Sequence, residues 1–97
     1  MDTSFYIVLN IQSGSGYEAL GKFNLGREKE FAFSLFRKLK GNSDAGVTAP
    51  LQMDFIETMD GLPVHLEVLN CSLNELSENC KLITKEMFRM LNLENIR

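Results

Sequence analysis

Two cysteines, Cys71 and Cys80, stand nine positions apart in the stretch NCSLNELSENC, and the chain has no others. Thiols so placed could close a disulfide, hold a metal or run a redox reaction. Ser72 followed three residues later by Glu75 reads as a capping box, so a helix starts between the two cysteines. An intact helix then separates them by roughly 13 Å, whereas a disulfide needs Cα atoms within ~7 Å. The C-x₂₋₄-C spacing of zinc sites is absent, and one histidine cannot complete a four-ligand set with two cysteines. Both cysteines therefore read as structural. Cys71 takes the position of a hydrophobic staple against Leu76, and Cys80 lies in the core-facing stripe Leu73, Leu76, Cys80, Ile83, Met87, Met90. Rapid labelling of Cys71, at a helix N-terminus that favours thiolate, would overturn that reading.

A second constellation carries acid–base or ligand chemistry. LQMDFIETM and LPVHLEVL flank Asp60-Gly61, a strong two-residue hairpin signal. In that register Asp54 opposes Glu67 and Ile56 opposes His65, all on the face turned away from the helices. Opposed like charges are destabilising, so Asp54, His65 and Glu67 could share a proton or hold a divalent cation. The plainer expectation is two solvated carboxylates, or carboxylates neutralised by a neighbouring base such as Lys22, since exposed strand charges also guard against edge aggregation.

Other catalytic patterns are missing. Gly14, Gly16 and Gly21 do not form G-x-G-x-x-G and lead into a strand, so no helix N-terminus is set to receive a phosphate. A triad would need His65 beside Ser13 or Ser15, which are turn residues with nothing to bring them together. The chain reads more as a non-enzyme than as an enzyme, with no cofactor implied.

Two similar halves position these residues. FYIVLNIQ at 5–12 and YEALGKFN at 17–24 read as strands joined through SGSG. Setting Phe5, Ile7, Leu9 and Ile11 opposite Phe23, Gly21, Ala19 and Tyr17 gives one apolar face and a three-residue loop, Ser13-Gly14-Ser15. A helix is expected from about Arg27 to Lys40, with Gly26 as N-cap and Gly41 as C-terminal stop. Its apolar stripe is Phe31, Ala32, Leu35, Phe36 and Leu39, with Phe33 outside it. The second hairpin and the helix after Ser72 repeat the order. The expectation is one α+β domain over residues 1–97, in pseudo-repeat halves of about 4–41 and 50–93. It has a mostly antiparallel four-stranded sheet with two helices on one face, in the order ββαββα. Pairing between the hairpins is left open.

Composition agrees with one domain. Hydrophobic residues make up 44% and charged residues 24% of 97 residues, ordinary values for a globular chain with a single core. A net charge of −3 argues against a phosphate backbone as partner, because nucleic-acid binding needs clustered Lys and Arg. MDTSFYIVLNIQSG starts with an acid and breaks its apolar run at Asn10, unlike a signal peptide. No stretch approaches the ~20 apolar residues of a membrane span. A cytoplasmic protein with reduced thiols is expected.

The outer sheet face should carry Tyr6, Val8, Leu20, Ile56 and Leu69 among its polar residues, more apolar than a one-sided sheet needs. With Phe33 these residues form an expected interface. The chain thus reads as a small interaction or structural module, expected to self-associate as a dimer or to bind a protein partner. The alternative is a small-molecule or divalent-metal-binding protein using Asp54, His65 and Glu67.

Overall fold

The computed structural model describes residues 3–44, 46 and 48–93. Its elements are β1 (Thr3–Ser13), β2 (Gly16–Gly26), α1 (Lys29–Arg37), β3 (Leu51–Met59), β4 (Leu62–Cys71) and α2 (Leu73–Leu93). One four-stranded sheet runs β2-β1-β3-β4 with every neighbouring pair antiparallel. This is the expected α+β class and order. The join between the hairpins is β1 against β3, centred where Ile7 meets Phe55 and Val8 meets Asp54. Among the described residues, no helix is long and apolar enough to cross a membrane.

One apolar cluster lies between the sheet and the helices. Phe5, Ile7, Met53 and Phe55 face Ala32, Leu35 and Phe36 of α1 and Ile83 of α2 within it. Phe36 stacks on Phe55 at 4.7 Å between ring centroids. Phe33 stands edge-on to Phe5 at 5.9 Å and to Phe55 at 5.1 Å. Such aromatic pairs add about 0.5–1.5 kcal/mol beyond their area burial. Phe33 therefore serves the core instead of an outer interface, as the helical wheel of a longer helix had suggested.

Bulges correct both hairpin registers. In the first, Ile7 pairs with Phe23 and Leu9 with Gly21, but Asn10 then pairs with Ala19 and Gln12 with Tyr17. Leu20 is the extra residue, the turn shortens to Gly14-Ser15, and Tyr17 moves to the outer face beside Gln12. A second shift follows where Tyr6 pairs with Asn24 and Phe5 with Gly26, so that Leu25 is extra and lies fully in the core, and β2 extends to Gly26. In the second, Ile56 still opposes His65, but Leu66 is extra, so Phe55 opposes Glu67 and Asp54 opposes Val68. Leu69 then pairs with Met53 and packs in the core, not on the outer face.

Helix α1 starts after an extended Glu28, because Gly26 is taken up in pairing with Phe5. Its end tightens: Lys38 N–H donates to the Leu35 carbonyl at 3.0 Å and Leu39 N–H to Phe36 at 3.1 Å, the i→i−3 pattern of a closing turn. Lys40 has left the helix, and its backbone is met by a side chain. Asn79 of α2, 1% exposed, accepts from Lys40 N–H at 2.8 Å and donates its amide to the Lys40 carbonyl at 2.8 Å. The carboxamide thus replaces a peptide partner on both sides, which lets this polar group be buried. Gly41 follows at φ +153, and a Cβ there would lie 2.6 Å from Leu69 Cγ and 2.7 Å from the Asn70 carbonyl. Asn42 then forms a two-bond bridge with Asn70, each at 2.8 Å.

Asn79→Ala is expected to lower stability by about 1–3 kcal/mol in urea unfolding, since it leaves the part-buried Lys40 N–H without its partner and the Lys40 carbonyl with only the weak Cys71 Sγ contact. Gly41→Ala should lose about 1–3 kcal/mol by overpacking. A loss under about 0.5 kcal/mol in both would contradict the described junction.

Candidate functional site

The outer sheet face is laid out in cross-strand rows. One row runs Lys22, Val8, Asp54, Val68, and the next runs Asn24, Tyr6, Ile56, His65. Alternation along each strand turns these side chains away from the helices. Among the described residues Lys22 forms no salt bridge with a carboxylate; its Nζ lies 4.6 Å from the centroid of the Tyr6 ring. Ile56 is only 4% exposed and lies outside the main cluster, so its own neighbours already close over it. Tyr6 and Val8 are half-buried, and Leu20 protrudes from its bulge. With Leu69 and Phe33 in the core, the expected sheet patch is reduced to Tyr6, Val8 and Ile56, with Leu20 at its margin.

Asp54 and His65 do meet. Asp54 Oδ2 lies 2.9 Å from His65 Nδ1, with the Asp54 side chain 14% exposed and His65 64%. A carboxylate can only accept, so an ionised Asp54 holds the proton on Nδ1 and orients the ring. Asp54 Oδ1 is buried without a hydrogen-bond partner. Glu67 does not join them. The Leu66 bulge moves it toward a polar cleft of about 550 Å³, lined by Gln12, Tyr17, Ser43, Thr48, Gln52, Glu67, Val68 and Asn70. Among the described residues, no three His, Cys, Asp or Glu side chains converge to hold a metal. The arrangement provides an oriented imidazole and a separate amide- and hydroxyl-lined cleft with one carboxylate.

No family model, curated protein or solved structure matches the chain. Function has to be argued from these surfaces alone.

The capping box ahead of α2 is formed as expected: Ser72 N–H donates to Glu75 Oε1 at 2.9 Å, and Glu75 N–H to Ser72 Oγ at 3.2 Å. The helix is nonetheless turned differently from the expected stripe. Its buried side centres on Asn79 and Ile83, with Leu76, Leu82 and Met87 packed beside them. A second apolar face is left outward, with Leu73 68%, Phe88 65% and Leu91 55% exposed. Cys80, half-buried, stands at its border and lines an open groove of about 520 Å³ with Lys81, Thr84, Lys85 and Phe88. The signal for this face was present in the spacing Cys80, Thr84, Phe88, Leu91, but it reads as part of one broad stripe unless Asn79 is known to be inside.

Both cysteines are free. Cys71 ends β4 in the core, its Sγ 3.4 Å from the Lys40 carbonyl. Burial pushes its thiol from 9.0 up to about 11, with the Glu75 charge adding and the Asn79 hydrogen bond opposing. The native thiol stays protonated where the unfolded one ionises. Its contribution to stability is therefore complete below about pH 9 and lost as pH rises toward about 11, by up to about 2 kcal/mol. Urea midpoints across that range should fall more steeply in the wild type than in Cys71→Ala. In the folded protein a thiol reagent should modify Cys80 and leave Cys71 untouched; the reverse order would contradict both placements.

Proposed function

We propose that this chain is a non-enzymatic interaction module that binds a polypeptide, either a second copy or a different chain, through apolar surface its own fold leaves uncovered. The observation that carries this reading is the outward face of α2. Leu73, Phe88 and Leu91 lie at helical spacing on a helix whose other side already fills the core. A surface helix normally carries one apolar stripe, and large apolar residues exposed on a second side mark a candidate contact surface. The sheet patch around Tyr6 and Val8 supports the same reading more weakly, because Ile56 is already buried.

The alternative, a ligand-binding protein, draws on the Asp54–His65 contact and the polar cleft. It predicts that an added divalent ion raises the melting temperature and that Asp54→Asn removes the effect. With Glu67 turned away, the expected outcome is no such difference between wild type and Asp54→Asn.

The module reading makes a separate demand on stability. Phe88→Ser and Leu91→Ser should leave the urea midpoint within about 0.5 kcal/mol of wild type, while Ile83→Ala, fully inside, should lose about 2–4 kcal/mol. A core-sized loss at Phe88 would mean that this face serves the fold itself. Light scattering then separates the two forms of the proposal. A mass above the monomer that drops with Val8→Lys assigns self-association to the sheet, and one that drops with Phe88→Ser assigns it to α2.

A further inference from the structure

We propose that the outward face of α2 docks an amphipathic helix of another protein whose apolar stripe is flanked by Asp and Glu. The inference rests on the interaction-module reading and names the partner's chemistry. The shallow groove is lined by Cys80, Thr84 and Phe88 together with the basic Lys81 and Lys85. The acids of α2 are engaged mainly by other cations: Glu78 pairs with Lys40 and also feels the Lys81 charge, and Glu86 lies 3.7 Å from Lys38 and 3.6 Å from Arg89. Lys81 and Lys85 form no ion pair among the described residues. A partner laid in the groove therefore meets apolar surface and two lysines held in no salt bridge among the described residues. A helix inserted in a groove is read at i, i+3, i+4 and i+7 anchors, and charges at the flanks select its identity and orientation.

A second copy fits this surface poorly. Two antiparallel copies related by a two-fold axis oppose the same flank of each helix. Lys81 and Lys85 would then face the same two lysines, and like charges at close range oppose pairing. An acidic flank on a different chain removes that repulsion and supplies the missing counter-charge.

The test uses the full chain and two labelled synthetic helical peptides of the length of α2, sharing one leucine stripe and differing only in Glu or Lys flanks. Fluorescence anisotropy should show the Glu-flanked peptide binding at least about ten-fold more tightly. Lys81→Glu combined with Lys85→Glu should reverse the preference, and Phe88→Ser, checked to keep its urea midpoint, should abolish binding. Equal affinity for the two peptides, or binding that survives Phe88→Ser, overturns the inference. If neither peptide binds and light scattering shows a dimer that Phe88→Ser dissociates, the acidic partner is wrong while the module reading stands. If neither binds and the protein is a monomer, both fall.

Discussion

The side chain that does most to hold the junction after α1 is Asn79, which bonds both polar groups of the Lys40 backbone. Lys40 has left the helix, so its N–H and carbonyl find no backbone partners in α1, at a part-buried site bordered by the buried residues Leu39 and Cys71. A buried peptide group left unpaired would cost about as much as several surface contacts supply. The Asn79 carboxamide satisfies both groups at 2.8 Å and, in doing so, fixes the rotation of α2. With Asn79 inside, Ile83 follows it into the core, and Leu73, Phe88 and Leu91 are left outside. A rotation that buried Leu73 and Cys80 instead would withdraw the carboxamide from Lys40. The same interaction that closes the fold therefore opens the surface assigned to a partner.

Around that junction the chain is drawn against β4 by further contacts. The Gly41 backbone passes so close to Leu69 and Asn70 that no side chain fits there. Asn42 and Asn70 exchange backbone hydrogen bonds, and Asn70 Nδ2 also donates to the Asn42 and Asp44 carbonyls at 3.1 and 3.2 Å. These bonds occupy part of the outer edge of β4, which would otherwise present unpaired backbone groups. At the opposite edge, β2 carries the Leu20 bulge, a device that interrupts a regular pairing edge. Both edges of the sheet are thus modified, and α2 presents exposed apolar side chains at Leu73 and Phe88.

Much of the fold was legible because it rests on periodicity. Alternation in residues 5–12, the Asp60-Gly61 turn, the Ser72–Glu75 capping box and the α1 stripe each report local chemistry that the tertiary structure keeps. What was not legible came from competition between neighbours. Matching apolar faces gave a continuous register for each hairpin, but the first takes two bulges, at Leu20 and Leu25, and the second takes one, at Leu66, with Leu25 and Leu69 buried. Those bulges removed Glu67 from Asp54 and His65 and carried Leu69 through the sheet. Asn79 was invisible for a different reason: an asparagine in a helix counts as solvent-facing until a specific unpaired peptide group is known to lie beside it. Phe33 was misplaced because α1 is a short helix whose aromatic residues reach β1 and β3 from its edge.

The central claim is that the Asn79 side chain supplies the missing backbone partners of Lys40 and so sets the facing of α2. Native-state amide hydrogen exchange at Lys40, followed by NMR, tests it most directly, because an exposed loop amide opens freely while a buried bonded one opens only with the surrounding unit. The account predicts that Lys40 N–H exchanges as slowly as the central β1–β3 amides and that the Asn79 side-chain amide is protected with it. Exchange of Lys40 at the rate of an exposed loop amide, with the β1–β3 amides still protected, would contradict it.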